Sequence, residues 1–186
     1  MRSWSVAASA WSGLGLAVAV SLVGEAYVDV PGLHNRVLIN HVLPSLAAVV
    51  LPFPLIDRTP TLTLMAARPP WRALLMRLCV VGAVAVPVVI ALVSVGWTLA
   101  ASLSVFAWLG VAAVACAALG QWFWAPTLLL GVVWLQWGPR EWPYGAGLEW
   151  VAVDTALLLV GSLVYVVWEA GKIRRLTRGV GAVNGG

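Results

Sequence analysis

Residues 97–138 form one apolar block with no charged side chain in it. The block is too long for a single membrane-spanning helix, which uses about 20 apolar residues. It is also too apolar for the outside of a soluble domain, where polar groups must meet water. The rest of the 186-residue chain repeats the theme, with 62% hydrophobic residues, 10% charged residues and a mean hydropathy of +0.96. Lipid offers an exposed backbone no hydrogen bonds, so segments of this kind fold as helices. The expected fold is an all-α integral membrane protein with six transmembrane helices, over 4–24, 37–56, 75–96, 101–119, 122–138 and 150–171. The long block divides near Gly120–Gln121. Six spans consume about 120 residues, which leaves short loops and no room for a soluble domain.

The first apolar run follows Arg2 and has the outline of a signal peptide, but it is long and no small-residue cleavage site stands out after it. It is read as a helix that stays. Both cysteines, Cys79 and Cys116, fall inside apolar runs and are read as small core residues rather than redox or metal groups. The net charge of +4 has its explanation in the positive-inside rule rather than in a nucleic-acid surface. With the N-terminus inside, the cytoplasmic side carries Arg2, Arg58, Arg68, Arg72, Arg77, Lys172, Arg174, Arg175 and Arg178, nine of the eleven basic residues. Only Arg36 and Arg140 fall outside, among the acids Glu25, Asp29, Glu141 and Glu149. A multi-pass protein of the cell membrane, with both termini cytoplasmic, is expected. The tryptophans fit as interfacial belts, favoured over a ligand cage: Trp97, Trp137, Trp142 and Trp150 outside, Trp4, Trp71, Trp122, Trp124 and Trp168 inside.

The segment "DRTPTLTLMAARPPWRALLMRL", residues 57–78, interrupts the apolar pattern with four arginines. Those charges would cost about 10 kcal/mol or more in hydrocarbon, so the segment belongs at the cytoplasmic surface. Thr59 and Pro60 read as an N-cap and first helical position. "TLTLMAAR" then forms two turns, Pro69–Pro70 stops them, and "WRALLMRL" starts the next span. This pattern resembles the cytoplasmic loop of the permease subunits of second-type ABC exporters, which reads like "ER..GTL..LL..P..R..LL". Asp57 and Arg58 match its start, Thr61, Leu62 and Leu64–Met65 its middle, and Pro69, Arg72, Leu74–Leu75 and Arg77 its end. Pro60 stands where the family usually has glycine.

The resemblance implies a coupling helix docked on a separate ATP-binding-cassette ATPase, with Arg58, Thr61, Leu64, Arg68 and Arg72 in contact with it. It also implies six spans, a second permease subunit, identical or related, and no resident cofactor. Residues 136–150, "QWGPREWPYGAGLEW", suit the short outer hairpin elements found between the last two spans of that family. On this reading residues 1–178 are the transmembrane domain with coupling loop 57–77, and 179–186 are a frayed tail. The alternative is a non-transporting scaffold or assembly subunit of a larger membrane complex, which needs no ATPase.

The chain lacks GxxxxGK[ST], GxSxG and HExxH sequences and any acidic metal cluster, so ATP hydrolysis or other catalysis within it is not expected. Asp154 stands out as an acid about one turn into the last span, either a transport group or, only about 6 Å deep, one that reaches the outer interface. Glu169 and Lys172 read as a surface pair. His34 and His41, about 10 Å apart along a helix, cannot face each other across one haem iron. Pro44, Pro52, Pro54 and Pro87 interrupt the second and third spans, as hinges of a pathway or as static kinks. Asp154, Pro87 and His41 are the pathway candidates, and "GLGLAVAVS" offers a small-residue face for helix packing.

Overall fold

The computed structural model describes residues 3–23, 26–28, 37–56, 70–137 and 147–183. It is an all-helical fold of six principal helices: α1 (Ser3–Val23), α2 (Ile39–Val50), α3 (Pro70–Ser94), α4 (Ser104–Leu119), α5 (Trp124–Trp137) and α6 (Leu148–Val183). The remaining described elements are small. A two-residue antiparallel ladder, β1 (Tyr27–Val28) with β2 (Val37–Leu38), joins α1 to α2. One-turn pieces lie at Phe53–Leu55, Leu99–Ser102 and Gly120–Trp122.

Three stretches are long and apolar enough to cross a membrane: Trp71–Ser94, Leu99–Trp122 and Glu149–Arg175. They answer to the third, fourth and sixth expected spans. Of the other three expected spans, α1 keeps the expected 21 residues, while α2 and α5 are shorter, at 12 and 14. The 12-residue α2 ends at Val50, and the chain passes Pro52 and Pro54 as a 3-10 turn, because proline cannot supply the amide that an α-helical ladder requires. Pro87 behaves differently: α3 runs through it without a break over its 25 residues.

Glycines end two helices. Gly96, with φ of +94°, closes α3. Its N–H bonds to the carbonyl of Val93 (3.1 Å) and the Trp97 N–H reaches back to Leu92 (3.2 Å), the double closure that a left-handed residue permits. Thr98 then caps the next turn, its hydroxyl accepting from Ala101 N–H at 3.2 Å. Gly120, with φ of +59°, separates α4 from the turn that leads into α5, at the division expected from the sequence.

Packing resolves into two helix pairs, α1 with α3 and α4 with α6, with α2 wedged between them against α1, α4 and α5. The wedged helix buries Leu43, Ala47 and Ala48, which join Val20, Val88, Leu92, Val105 and Leu109 in one apolar core. Close approach depends on glycine at three of the crossings. A methyl on Gly13 of α1 would meet Val84 of α3, and one on Gly131 of α5 would meet Ser45 of α2. Gly110 of α4 and Gly161 of α6 put backbone against backbone, each leaving no room for the other to carry a side chain.

The last pair has a definite direction. Gly110 lies against Leu157 and Gly161, and about two turns further along α4 and three along α6 Lys172 donates from Nζ to the Ala117 carbonyl at 2.8 Å. Residue number rises together on the two helices, so α4 and α6 run parallel. Ala117 is among the last four residues of α4, whose carbonyls have no partner within the helix, and a cation there also meets the negative end of the helix dipole. The expected Glu169–Lys172 pair is present, at 2.7 Å, but its lysine also closes off a neighbouring helix.

Candidate functional site

The expected coupling residues Arg58, Thr61, Leu64 and Arg68 lie outside the described residues. Arg72 is exposed in the first turn of α3, its guanidinium 5.2 Å from the ring centre of Trp71. Further along α3, Arg77 reaches the hydroxyl of Tyr165 on α6. That hydroxyl donates to the Leu55 carbonyl at 2.7 Å, and Tyr165 is fully enclosed. A single aromatic side chain therefore ties the residues before and after segment 57–69 to α6.

The pathway candidates do not come together. Pro87 is a half-buried residue within α3. His41 packs in the first turn of α2 with its ring edge-on to Trp97, centroids 5.9 Å apart. Trp97 is 3% exposed, so it belongs to the core rather than to an interfacial belt: the glycine turn that ends α3 folds its indole inward. Cys116 is core as expected, but Cys79 is exposed on α3. His34 lies outside the described residues, as does most of the expected outer hairpin.

Asp154 has the most distinctive setting. It is 6% exposed and lines a cavity of about 450 Å³ between α4, α5 and α6. Each helix contributes the same i, i+3, i+4, i+7 stripe: Ser104, Ala107, Trp108 and Val111 from α4; Leu130, Val133, Trp134 and Trp137 from α5; Trp150, Val153, Asp154 and Leu157 from α6. Such a stripe is one face of a helix. The Gly110–Gly161 crossing holds α4 and α6 in contact at one end of the cavity, and the aromatic side chains of α5 wall it opposite. Trp134 and Trp150 meet edge to face, centroids 6.3 Å apart. Asp154 Oδ2 and Ser104 Oγ are both buried and neither has a hydrogen-bond partner.

Trp150 and Trp137, expected at an interfacial belt, are thus cavity walls as well, although Trp137 stays 79% exposed. Trp108 and Trp134 were not singled out by the belt pattern. Their position inside apolar runs, rather than at the ends, was the available signal. The cavity lies far from the basic end of α6: residues 154 to 172 span about 27 Å at 1.5 Å per residue. Among the described residues no group of three or more metal-ligating side chains occurs. No protein-family model matches the sequence, and neither the curated proteins nor the solved structures gave a match.

Proposed function

We propose that this chain is the membrane-embedded permease subunit of an ATP-driven exporter in the cell membrane. It has six spans with both termini cytoplasmic. It pairs with a second permease subunit and couples through residues 57–77 to a separate ATPase. The observation that carries this reading is Asp154. A carboxylate set into an apolar, tryptophan-walled cavity between helices is costly, and such groups mark substrate or ion pathways. The parallel run of α4 and α6 supports six spans, since two consecutive parallel crossings require the chain to return between them. The position of Lys172, Arg174 and Arg175 at one end of the longest apolar window supports the orientation.

The scaffold reading has one observation of its own. Leu159, Leu163, Val167 and Trp168 leave a broad apolar face of α6 uncovered, which suits a subunit enclosed by other membrane proteins. The two readings part on the ATPase. Gentle solubilisation of the tagged protein from its native host, with the co-purifying chains identified by mass spectrometry, is expected to return a stoichiometric ATPase. The double charge reversal Arg68→Glu and Arg72→Glu should reduce that recovery several-fold, because arginines supply directional pairs to carboxylates. Recovery of other membrane subunits without an ATPase would replace the exporter by the scaffold.

A further inference from the structure

We propose that the Asp154 cavity binds a lipophilic organic cation, an ammonium or phosphonium centre carrying apolar groups. As a statement about what is transported, this rests on the exporter reading; as a statement about binding, it concerns this chain alone.

The chemistry of the walls selects the class. Asp154 Oδ2 is buried with no hydrogen-bond partner, and no lysine, arginine or histidine lines the cavity among the described residues. An anion would therefore find repulsion and no partner. A neutral lipid or hydrocarbon would fill the space but leave the carboxylate uncompensated, the costly case for a buried charge. A bare metal ion is excluded by the donor count. Hard divalent cations take six or more oxygens, and only Asp154 and Ser104 offer side-chain oxygens here.

An organic cation satisfies every wall. Its charge faces the carboxylate, and its positive surface meets a lining that includes the indoles of Trp108, Trp134 and Trp150, a ring type that attracts cations through its quadrupole. Its apolar groups replace lipid or water against Val111, Val133 and Leu157. Ser104 Oγ, also buried and unpartnered, supplies one further polar group on the same lining. The volume of about 450 Å³ falls in the range of about 300–1,000 Å³ usual for small-molecule sites. Leu130, Val153 and Leu157 are exposed on the flank between α5 and α6, so a ligand dissolved in the apolar phase enters sideways without crossing water.

The test uses the purified full chain in detergent, titrated with tetraphenylphosphonium and, separately, benzyltrimethylammonium, with binding followed by calorimetry and by tryptophan emission. Saturable binding of at least one probe is expected, weakened tenfold or more by Asp154→Asn and largely kept by Asp154→Glu. A neutral control, triphenylphosphine oxide, should bind no better to the wild type than to D154N. Should D154N fail to give monodisperse protein, Trp134→Leu decides, with several-fold weaker binding expected. Absence of saturable binding for both probes, or equal affinity in wild type and D154N, overturns the proposal. The exporter reading is judged separately. Cation binding without a co-purifying ATPase would leave the site and remove the exporter, while an ATPase without cation binding would do the reverse.

Discussion

Tyr165 illustrates how much one side chain decides in an apolar bundle. Its ring is fully enclosed and its hydroxyl donates to the carbonyl of Leu55, the last residue of the 3-10 turn that follows α2. That carbonyl belongs to a stretch where proline has broken the regular ladder, so the tyrosine supplies a bond the backbone cannot. Tyr165→Phe keeps the packing and removes the donor, which leaves a buried acceptor unpaired at a cost of about 1–3 kcal/mol. A lowered midpoint of thermal unfolding in detergent is expected, with the helix content of the folded state unchanged; an unaltered midpoint would show the bond to be dispensable. Nothing in the sequence distinguishes this tyrosine, because its partner is a main-chain carbonyl 110 residues away. Asp154 is the opposite case. An acid inside an apolar run is visible at once, and the structure adds the company it keeps.

At the scale of the helices, glycine sets the crossings. Gly161→Ala and Gly110→Ala would each push a methyl into the facing backbone, which cannot yield as a flexible side chain does. Gly15 and Gly82 lie in helices with nothing near a prospective Cβ, so alanine there gains helix propensity of up to about 1 kcal/mol. Thermal unfolding should therefore fall for G161A and G110A, by about 1–3 kcal/mol if overpacking has its usual cost, and hold or rise for G15A and G82A. Similar behaviour of the two groups would mean the α4–α6 contact is not as close as described. The breaks at Gly96 and Gly120 were legible in the sequence, because glycine is where helices stop. Which glycine faces which neighbour was not. On helices that are apolar on every side, as α4 and α5 are, there is no polar face against which to read a stripe, and the three stripes that make the cavity were hidden for the same reason. That Trp137 and Trp150, assigned to a belt from the sequence, also line this cavity could not be read without knowing what lay across from them.

For the molecule as a whole, the parallel α4 and α6 are the strongest constraint on its path through a bilayer, and orientation is open to direct measurement. With Cys79 and Cys116 replaced by alanine, single cysteines at Ala66 and Ala146 should react oppositely in intact cells. A membrane-impermeant maleimide is expected to label Ala146→Cys at once and Ala66→Cys only after permeabilisation; labelling of both from outside would sink the six-span, both-ends-inside arrangement. At this level the sequence carried the helical, membrane-suited character of the chain, since length and hydropathy are global properties. It missed that two of the six apolar runs fold into helices shorter than a bilayer is thick, α2 having only 12 residues and α5 only 14. One feature at the basic end links these levels. Tyr165 fastens both flanks of segment 57–69, through Leu55 and Arg77, to the same point on α6. Asp154 lies about 16 Å away along the same helix, so α6 is a single stiff rod between that anchor point and the aromatic cavity.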